Sequence, residues 1–505
     1  RNILRSGGMY ESFLSGLQLA TSFNAILYIL LGVVLGIIFG ATPGISTTMG
    51  IALTLPMTYA MSLENGLALL LGVFVGGVSG GLITAILINV PGTPASIATT
   101  FDGHPMAKNG EAGKALGVGL LFSFYGGIFS WVVLIFLSPV LARFALKLGP
   151  TEYFAIALFS LTLIASLSGK SLLKGLISGG LGLMLATVGV SPIDGFTRFS
   201  FGSRNLRSGF DLVTVLIGIY AVAEVFNIAK NPREEKLTVI SYKMKGFGIG
   251  IKEFFQQQKN ALVSAFIGTG IGILPGLGAG IANLVSYSTV KSISKTPDKF
   301  GTGIIDGVVA SETANNATTG GALVPLLTLG IPGDGGTALM MAAFFIHGIT
   351  PGPLLFKNHG PTIYAIFVML LIANVAMIII EYFGMRFFIN VLKVPKYILF
   401  PIIIVLCTVG AFGSNNRVFD VYAVLFFGVV GFLLSNYKYP LPPVILGFIL
   451  GDLIETNLRR GLMSTYDSFW PFLTRPISGL FLFLTLSFMG YIVFKAVKNK
   501  RKIFD

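Results

Sequence analysis

The sequence predicts an all-α polytopic membrane protein built from two inverted-topology repeats with broken helices or re-entrant hairpins. Three observations carry that expectation. The 505 residues are 53% hydrophobic and 11% charged, with a mean hydropathy of +0.82. Long apolar runs recur along the chain. Two different Pro-Gly motifs each occur twice, in the same order.

Composition comes first. A soluble domain covers its surface with about 25% charged residues, far more than are present here. A membrane helix needs about 20 predominantly apolar residues. The runs Ala25–Phe39, Leu116–Leu141, Ile363–Ile380 and Leu480–Phe494 supply that material. Counting all such runs gives roughly a dozen membrane segments, some short or interrupted. They lack the strict alternation that a lumen-facing barrel strand requires. The net charge of +14 sits in loops between apolar spans. That is the positive-inside pattern rather than a nucleic-acid surface. Cys407, the single cysteine, lies in an apolar run and reads as a packed thiol, with no disulfide possible within the chain. Residues 1–8, RNILRSGG, read as a tag or processing remnant. No cleavable signal peptide stands out, and the first span could itself direct insertion.

The chain then divides at its most polar stretch. Residues 229–259 carry Lys230, Arg233, Lys236, Lys243, Lys245, Lys252 and Lys259 against Glu234, Glu235 and Glu253. They read as a solvated basic linker on the cytoplasmic side. The basic tail KAVKNKRKIFD belongs on the same side. This leaves a first membrane repeat over 9–228, and a second repeat with C-terminal spans over 260–505. GATPGIS (Gly40–Ser46) in the first half answers GILPGLG (Gly272–Gly278) in the second. GGLITAILINVPGTP (Gly80–Pro94) answers GGALVPLLTLGIPGDGG (Gly320–Gly336). Pro43 and Pro275 are 232 residues apart, and Pro91 and Pro332 are 241 apart. Ordered recurrence at a nearly constant offset is the signature of a transporter built from repeats. MYESFLSGLQLATSFN, before the first motif, has no Lys or Arg, whereas the matching segment of the second half is basic. The two repeats should therefore enter the membrane from opposite sides.

Each Pro-Gly pair should break its helix. Pro43, Pro91, Pro275 and Pro332 remove a backbone donor and clash with the preceding turn. Gly44, Gly92, Gly276 and Gly333 permit the conformations that follow, as does Gly278. A helix that restarts at membrane depth presents free N–H groups and about half a positive charge, an anion site without Lys or Arg. One such motif alone is more often a simple kink. Four in two ordered pairs, flanked by Ser46, Thr47, Asn89, Thr93, Thr99 and Thr100 in the first half and by Asp334 and Thr337 in the second, point to a substrate site. The second constellation is SETANNATTGG, Ser311–Gly321, where Ser311, Asn315 and Thr319 share a helical face. Its bland reading is interhelical hydrogen bonding. Its functional reading is a site of hydroxyl and amide oxygens, with Asn315 and Asn316 toward substrate and Ser311, Glu312, Asn315 and Asp334 as candidate ligands of a hard cation such as Na+. Glu312 and Asp334 are the candidate coupling carboxylates.

The remaining residues carry less. His104, His347 and His359 have no metal-ligand spacing and read as loop or helix-end residues. Arg386, Lys396 and Arg417 lie near span ends and read as snorkelling. There is no Walker A motif and no nucleophile–base–oxyanion set, which argues against an ATPase or a membrane-embedded enzyme. An uncoupled anion channel would use the same helix-dipole site and stays open as the alternative.

Long segments of the chain resemble the TctA family, the large membrane subunit of tripartite tricarboxylate transporters. They are GATPGIS with ALTLP; NVPGTP with TTFDGHPMAKNGEAGKALG; PIDGFTRFSFG with LIGIYAVAEVF; and SETANNATTGGALVPLLTLGIPGDGGTALMMAAFFIHGITPGP. The resemblance spans nearly the entire chain. It implies a translocation path for citrate-like di- or tricarboxylates, cation-coupled uptake, a smaller TctB-like membrane subunit of about four spans, and a TctC-like periplasmic substrate-binding protein. It implies a place in the bacterial inner membrane. The family's Pro-Gly motifs fall on Pro43–Gly44, Pro91–Gly92, Pro275–Gly276 and Pro332–Gly333, and its polar signature on Ser311, Glu312, Asn315 and Asn316. The family often has Pro where this chain has Ser311. Alternating access by an elevator-type motion follows by analogy with other broken-helix transporters.

Sidedness gives a direct test. With Cys407 replaced, single cysteines in the 229–259 stretch or the C-terminal tail should stay unmodified by a membrane-impermeant maleimide on intact cells. The segment SPIDGFTRFSFGSRNLRSG, with Arg198, Arg204 and Arg207 as a docking surface for an extracytoplasmic partner, should label; access from the cytoplasmic face alone would make it instead a re-entrant segment with these arginines inside. Ready labelling of the linker or tail from outside overturns the topology.

Overall fold

Apolar runs and Pro-Gly breaks together set the helix boundaries in the computed structural model, which describes residues 6–167, 171–230, 239–391 and 396–498. Residues 231–238 of the basic stretch and 499–505 of the basic tail lie outside the described residues, as does the side chain of Lys396. In chain order the helices are α1 (Ser6–Ala20), α2 (Phe23–Ala41), α3 (Thr47–Thr54), α4 (Leu63–Ile88), α5 (Ile97–Met106) and α6 (Ala112–Ala145). There follow α7 (Pro150–Leu167), α8 (Leu172–Ala186) and α9 (Leu212–Lys230). After the basic stretch come α10 (Gln258–Ile273), α11 (Gly278–Ile293), α12 (Ile305–Leu329), α13 (Gly335–Ile346) and α14 (Gly360–Val391). The chain continues through α15 (Lys396–Asn415), α16 (Val418–Asn436), α17 (Leu441–Ser464) and α18 (Pro476–Lys498). The only sheet among the described residues is a short antiparallel ladder, β1 (Gly189–Val190) with β2 (Thr197–Arg198). The protein is thus a helical, polytopic membrane protein.

Seven helices among the described residues are long and apolar enough to cross a membrane, and four shorter apolar helices accompany them. That is fewer than the dozen expected. The breaks divide apolar sequence into pieces too short to cross, such as α3 and α13. The polar run Ser311–Thr319 lowers the hydropathy of α12, although it has 25 residues.

The chain forms two compact units, one of residues up to 142 and from 231 to 406, the other of 143–230 and from 407 on. In the first unit α2 packs along α4 in parallel, with Gly32, Gly36 and Gly40 against Leu69, Val73 and Gly77. The reciprocal glycines of α4, Gly72, Gly76 and Gly80, face Ile29, Val33 and Ile37. Each helix thus presents a small residue every fourth position, which lets two backbones touch. A methyl group on Gly36 would lie 2.5 Å from the Val73 carbonyl oxygen, and one on Gly80 would lie 2.7 Å from that of Ile37. In the same way α10 packs along α12, with Gly268 and Gly272 against Ala314 and Thr318. α14 lies against α1, α2 and α4.

The described part of the basic stretch is not a free tether. Ile240 N–H donates to the Leu87 carbonyl at 3.2 Å, Gly117 lies against the Phe247 backbone, and Lys114 pairs with Glu253 at 2.8 Å. Residues 240–253 are laid along the start of α6 because its small residues leave room for a second backbone.

The second unit packs α17 against α7 and α8, α18 against α7, and α16 against α9. Its hairpin is tied down electrostatically. Arg198 makes two bonds to Glu455, at 2.8 and 3.0 Å, and Arg459 reaches Asp194 at 2.7 Å and Ser191 at 3.0 Å. The Arg459 hydrogen bond holds the Asp194 carboxyl well below the usual carboxylate range. Arg198 is therefore spent within the protein, unlike the free docking residue expected. Arg417 likewise forks onto buried Asp420 at 2.8 and 3.0 Å. Cys407 is buried, in line with its reading as a packed thiol.

The glycine ladder predicts a sharp contrast. Gly36→Val or Gly76→Val should cost about 1–3 kcal/mol or more, since only backbone could give way. Gly270→Ala on α10, which meets nothing within 4 Å, should leave the melting temperature of the purified protein unchanged or slightly raised. Equal melting temperatures for all three would refute close α2–α4 packing.

Candidate functional site

Helix restarts are the units from which the site is assembled, and all of them belong to the first unit. α2 ends at Ala41; Pro43 follows, Gly44 takes φ +92°, and Ser46 caps α3 by accepting from Met49 N–H at 3.1 Å. α10 ends at Ile273; Pro275 follows, and Gly276 and Gly278 take φ +78° and +62° before α11. The second break differs in form. α4 ends in left-handed Asn89 (φ 58°) and α12 in left-handed Gly330 (φ 70°). In each case an extended Pro-Gly segment then doubles back beside the helix it has just left.

The doubling back locks each break onto its neighbour. Gly92 is buried against the Gly40 carbonyl and the Thr84 hydroxyl. A methyl group on Gly333 would lie 2.7 Å from the Gly272 carbonyl oxygen, and Gly276 N–H donates to the Gly333 carbonyl at 2.6 Å. The next helices therefore start at the level of the first breaks: α5, through the turn Pro94–Ser96, beside Gly81, and α13 beside Ala322. The halves also meet. Gly280 of α11 lies against Pro94, and Asn283 donates to the carbonyls of Pro94 (3.0 Å) and Ala95. Gly278 faces Asp334, and Gly336 of α13 faces Phe74 and Ile51.

The capping residues divide by function. Asp334 accepts from Thr337 N–H at 2.8 Å, while the Thr337 hydroxyl accepts from Asp334 N–H at 2.9 Å. This reciprocal box satisfies two backbone N–H groups at the start of α13, those of Asp334 and Thr337. Asp334, Thr337 and Ser46 are thereby occupied with their own helices, and Asn89 is an exposed C-cap. Thr47 and Thr93 differ. Their hydroxyls are buried without a hydrogen-bond partner, against Gly77 and Gly81, one turn apart on α4. Unpaired buried hydroxyls are costly unless something else fills the position.

The polar run on α12 closes around Glu312, which is fully buried. Its carboxylate accepts from Thr99 of α5, from Ser123 of α6 at 2.9 Å and from Asn315 at 3.1 Å. Ser311 meets Thr99 at 3.0 Å. Asn315 also donates to the Ala95 carbonyl at 3.0 Å and accepts from Asn316 at 2.7 Å. The Asn316 side-chain oxygen has no partner. Thr319, expected on the face of Ser311 and Asn315, spends its hydroxyl on the Asn316 carbonyl at 2.7 Å.

Several members are not evident from sequence. Ser79 and Ser123 are single serines in apolar helices. Asp102, in FDGHP, accepts from Tyr287 (2.8 Å), Gly301 (2.9 Å), Gly303 (2.9 Å) and Ile304 (3.1 Å), clamping the entry of α12 to α5 and α11. Glu381 closes an apolar run, and an ionisable residue there was the available signal. The histidines behave as expected for helix ends: His104 Nδ1 meets the Ile86 carbonyl at 2.9 Å, and His347 follows α13.

A family model described as "Tripartite tricarboxylate transporter TctA family" matches residues 26–446. An Agrobacterium vitis protein described as an uncharacterized 52.8 kDa protein in the TAR-I ttuC' 3' region is 36% identical over 426 residues, 84% of either chain. A second Agrobacterium vitis protein, described as an uncharacterized protein in the TAR-II ttuC' 3' region, is 36% identical over 234 residues, 46% of this chain and 97% of its own. No solved structure matches the chain at comparable significance.

Thr99 joins the halves through Glu312 and Ser311. Thr99→Val should destabilise the protein by about 1–3 kcal/mol, because it leaves buried polar groups unpaired. Thr100→Val, whose hydroxyl reaches only the Ile97 carbonyl, should stay within about 0.5 kcal/mol of the parent. Equal thermal stability of the two variants would refute the bridge.

Proposed function

Because the chain belongs to the tripartite tricarboxylate transporter TctA family, we propose that it forms the translocation path for citrate-like di- or tricarboxylates and couples their uptake to Na+. The general function, carboxylate transport by a multi-pass membrane subunit rather than enzymatic chemistry, follows from membership. So does the existence of partner subunits. The finer reading adds a TctB-like small membrane subunit, a TctC-like periplasmic protein that delivers substrate, and a bacterial inner-membrane location with the basic stretch and tail in the cytoplasm.

One observation carries the reading: the restarts of α3, α5, α11 and α13 gather around the locked breaks, with the unpartnered hydroxyls of Thr47 and Thr93 beside them. Substrate carboxylates would take the free N–H groups of these helix starts and the two hydroxyls. Ser46, Thr337 and Asp334 would fix where the helices begin. Na+ would be held by oxygens of Ser311, Glu312 and Asn315, a hard-cation donor set. A repeated architecture is supported by the matched order of break types and by the parallel pairs α2–α4 and α10–α12, and inversion of the second copy by the basic stretch that precedes it.

Right-side-out vesicles carrying the complete transporter should accumulate labelled citrate saturably, against its gradient, and only with Na+. Simple equilibration without Na+ dependence would identify an uncoupled anion channel. Asn316→Ala and Glu312→Gln should abolish uptake in folded protein, a loss of a few kcal/mol of binding at about 1.4 kcal/mol per tenfold. Gly44→Val and Gly276→Val should do the same, since both positions have positive φ. Normal apparent affinity in all four variants would refute the site.

A further inference from the structure

Glu381 is a fully buried carboxyl on α14 that the carboxylate and Na+ sites do not use. One oxygen meets the Ser79 hydroxyl of α4 at 2.7 Å; the other has no hydrogen-bond partner. Contacts between α6 and α14 fix its level. Trp131 donates to the Phe367 carbonyl at 2.7 Å, and Gly127 lies against the Asn374 side-chain oxygen. The helices therefore run antiparallel, and the next turn of α6, with Ser123, faces the next turns of α14, toward Glu381. Phe247 sits over the same end of both helices, its backbone against Gly117 of α6 and its ring 5.2 Å from that of Tyr382. Ser123 is a donor to Glu312, so the two carboxyls lie at one level of the bundle.

No described cation neutralises Glu381. On its own helix, Arg386 is five residues on and its charge acts on the Tyr242 hydroxyl. Lys114 of α6 is paired with Glu253. α2 has no charged residue, and Glu64, the one charge of α4, bonds Thr362 at the opposite end of α14. α1 meets that same end, where Gly16 lies against Tyr364. The charge within electrostatic reach is the like charge of Glu312.

These surroundings separate the two carboxyls. Glu312 has three donors, which suit a carboxylate. Glu381 has one hydroxyl, an unpaired oxygen and a like-charged neighbour, which make its ionised form costly in a dry interior. A metal ion would need a fuller shell of oxygens than Ser79 and one carboxylate offer. We propose that Glu381 is a proton-binding site, loaded and unloaded during the transport cycle as a second coupling group beside Glu312. A hydronium ion transfers its proton to a carboxylate oxygen and leaves as water, and on release the same O–H bond breaks and the proton passes to water; no electrons change hands. Ser79 pairs with the neutral carboxyl. The difference between the two carboxyls lies in their surroundings alone.

The site itself is testable without substrate, whereas its coupling role rests on the transport reading above. Infrared difference spectra of the full-length chain in liposomes, stepped from acid to alkaline pH, should contain a protonated-carboxyl carbonyl band that disappears as the carboxyl ionises. Glu381→Gln should lose this band with unchanged helix content and melting temperature, whereas Glu312→Gln should keep it. Ser79→Ala should keep the band at a shifted frequency, and it serves if Glu381→Gln does not fold. A band that persists unchanged in Glu381→Gln, or an identical band in Ser79→Ala, overturns the proposal. In vesicles of the complete transporter, Glu381→Gln should retain citrate exchange but lose the stimulation by an imposed pH gradient. A wild-type-like response to that gradient overturns the coupling role. Absence of citrate uptake in the parent would instead count against the substrate assignment and leave the infrared result to decide the site.

Discussion

A backbone that leaves the helix inside an apolar protein must find partners for every N–H and C=O it frees, because lipid supplies none. The first unit meets part of this demand by setting breaks against one another. Gly92 covers Gly40, and Gly276 donates to Gly333. Much of the architecture follows. Small residues are needed at the contacts, left-handed caps are needed to turn the chain back, and α2 and α4 must run side by side for their breaks to meet. The interhelical glycines are therefore part of the same solution as the Pro-Gly pairs.

The polar cluster is a consequence of that arrangement. The chain doubles back after Asn89, so α5 starts within the bundle and carries Thr99 to Glu312. Asp102, one turn further along α5, grips the three backbone N–H groups at 301, 303 and 304 and the Tyr287 hydroxyl. α5, α11 and the entry of α12 are thus held by one buried carboxylate. A displaced break would misplace both Thr99 and Asp102, so the helix breaks and the Glu312 cluster form one cooperative feature.

The breaks were legible in the sequence because Pro and Gly act locally: each motif announces its own interruption. The polar run on α12 was legible because Ser, Glu and Asn are conspicuous among apolar residues. Partners were not legible. Ser79 meets Glu381 across 302 positions, and helical periodicity gives a face but not the neighbour on it. The capping roles of Ser46 and Asp334 were available, since each precedes a helix start, yet proximity to a break made both read as ligands. The span count came out high for a related reason. A break divides an apolar run into pieces too short to cross, as with α3 and α13.

Charge placement bears on how such a site handles an anion. The described ion pairs, Lys114–Glu253, Arg198–Glu455, Arg417–Asp420, Arg459–Asp194, Arg459–Glu455 and Arg475–Glu152, include none of the break or cluster residues. A carboxylate substrate on the proposed path would meet helix starts and hydroxyls, with the negative charge of Glu312 close by. Helix dipoles supply only fractional charge. Substrate and Glu312 would repel at low dielectric unless a cation stood between them. On this reading, a cation at Glu312 removes the repulsion and so favours substrate binding, and substrate binding must favour the cation by the same factor.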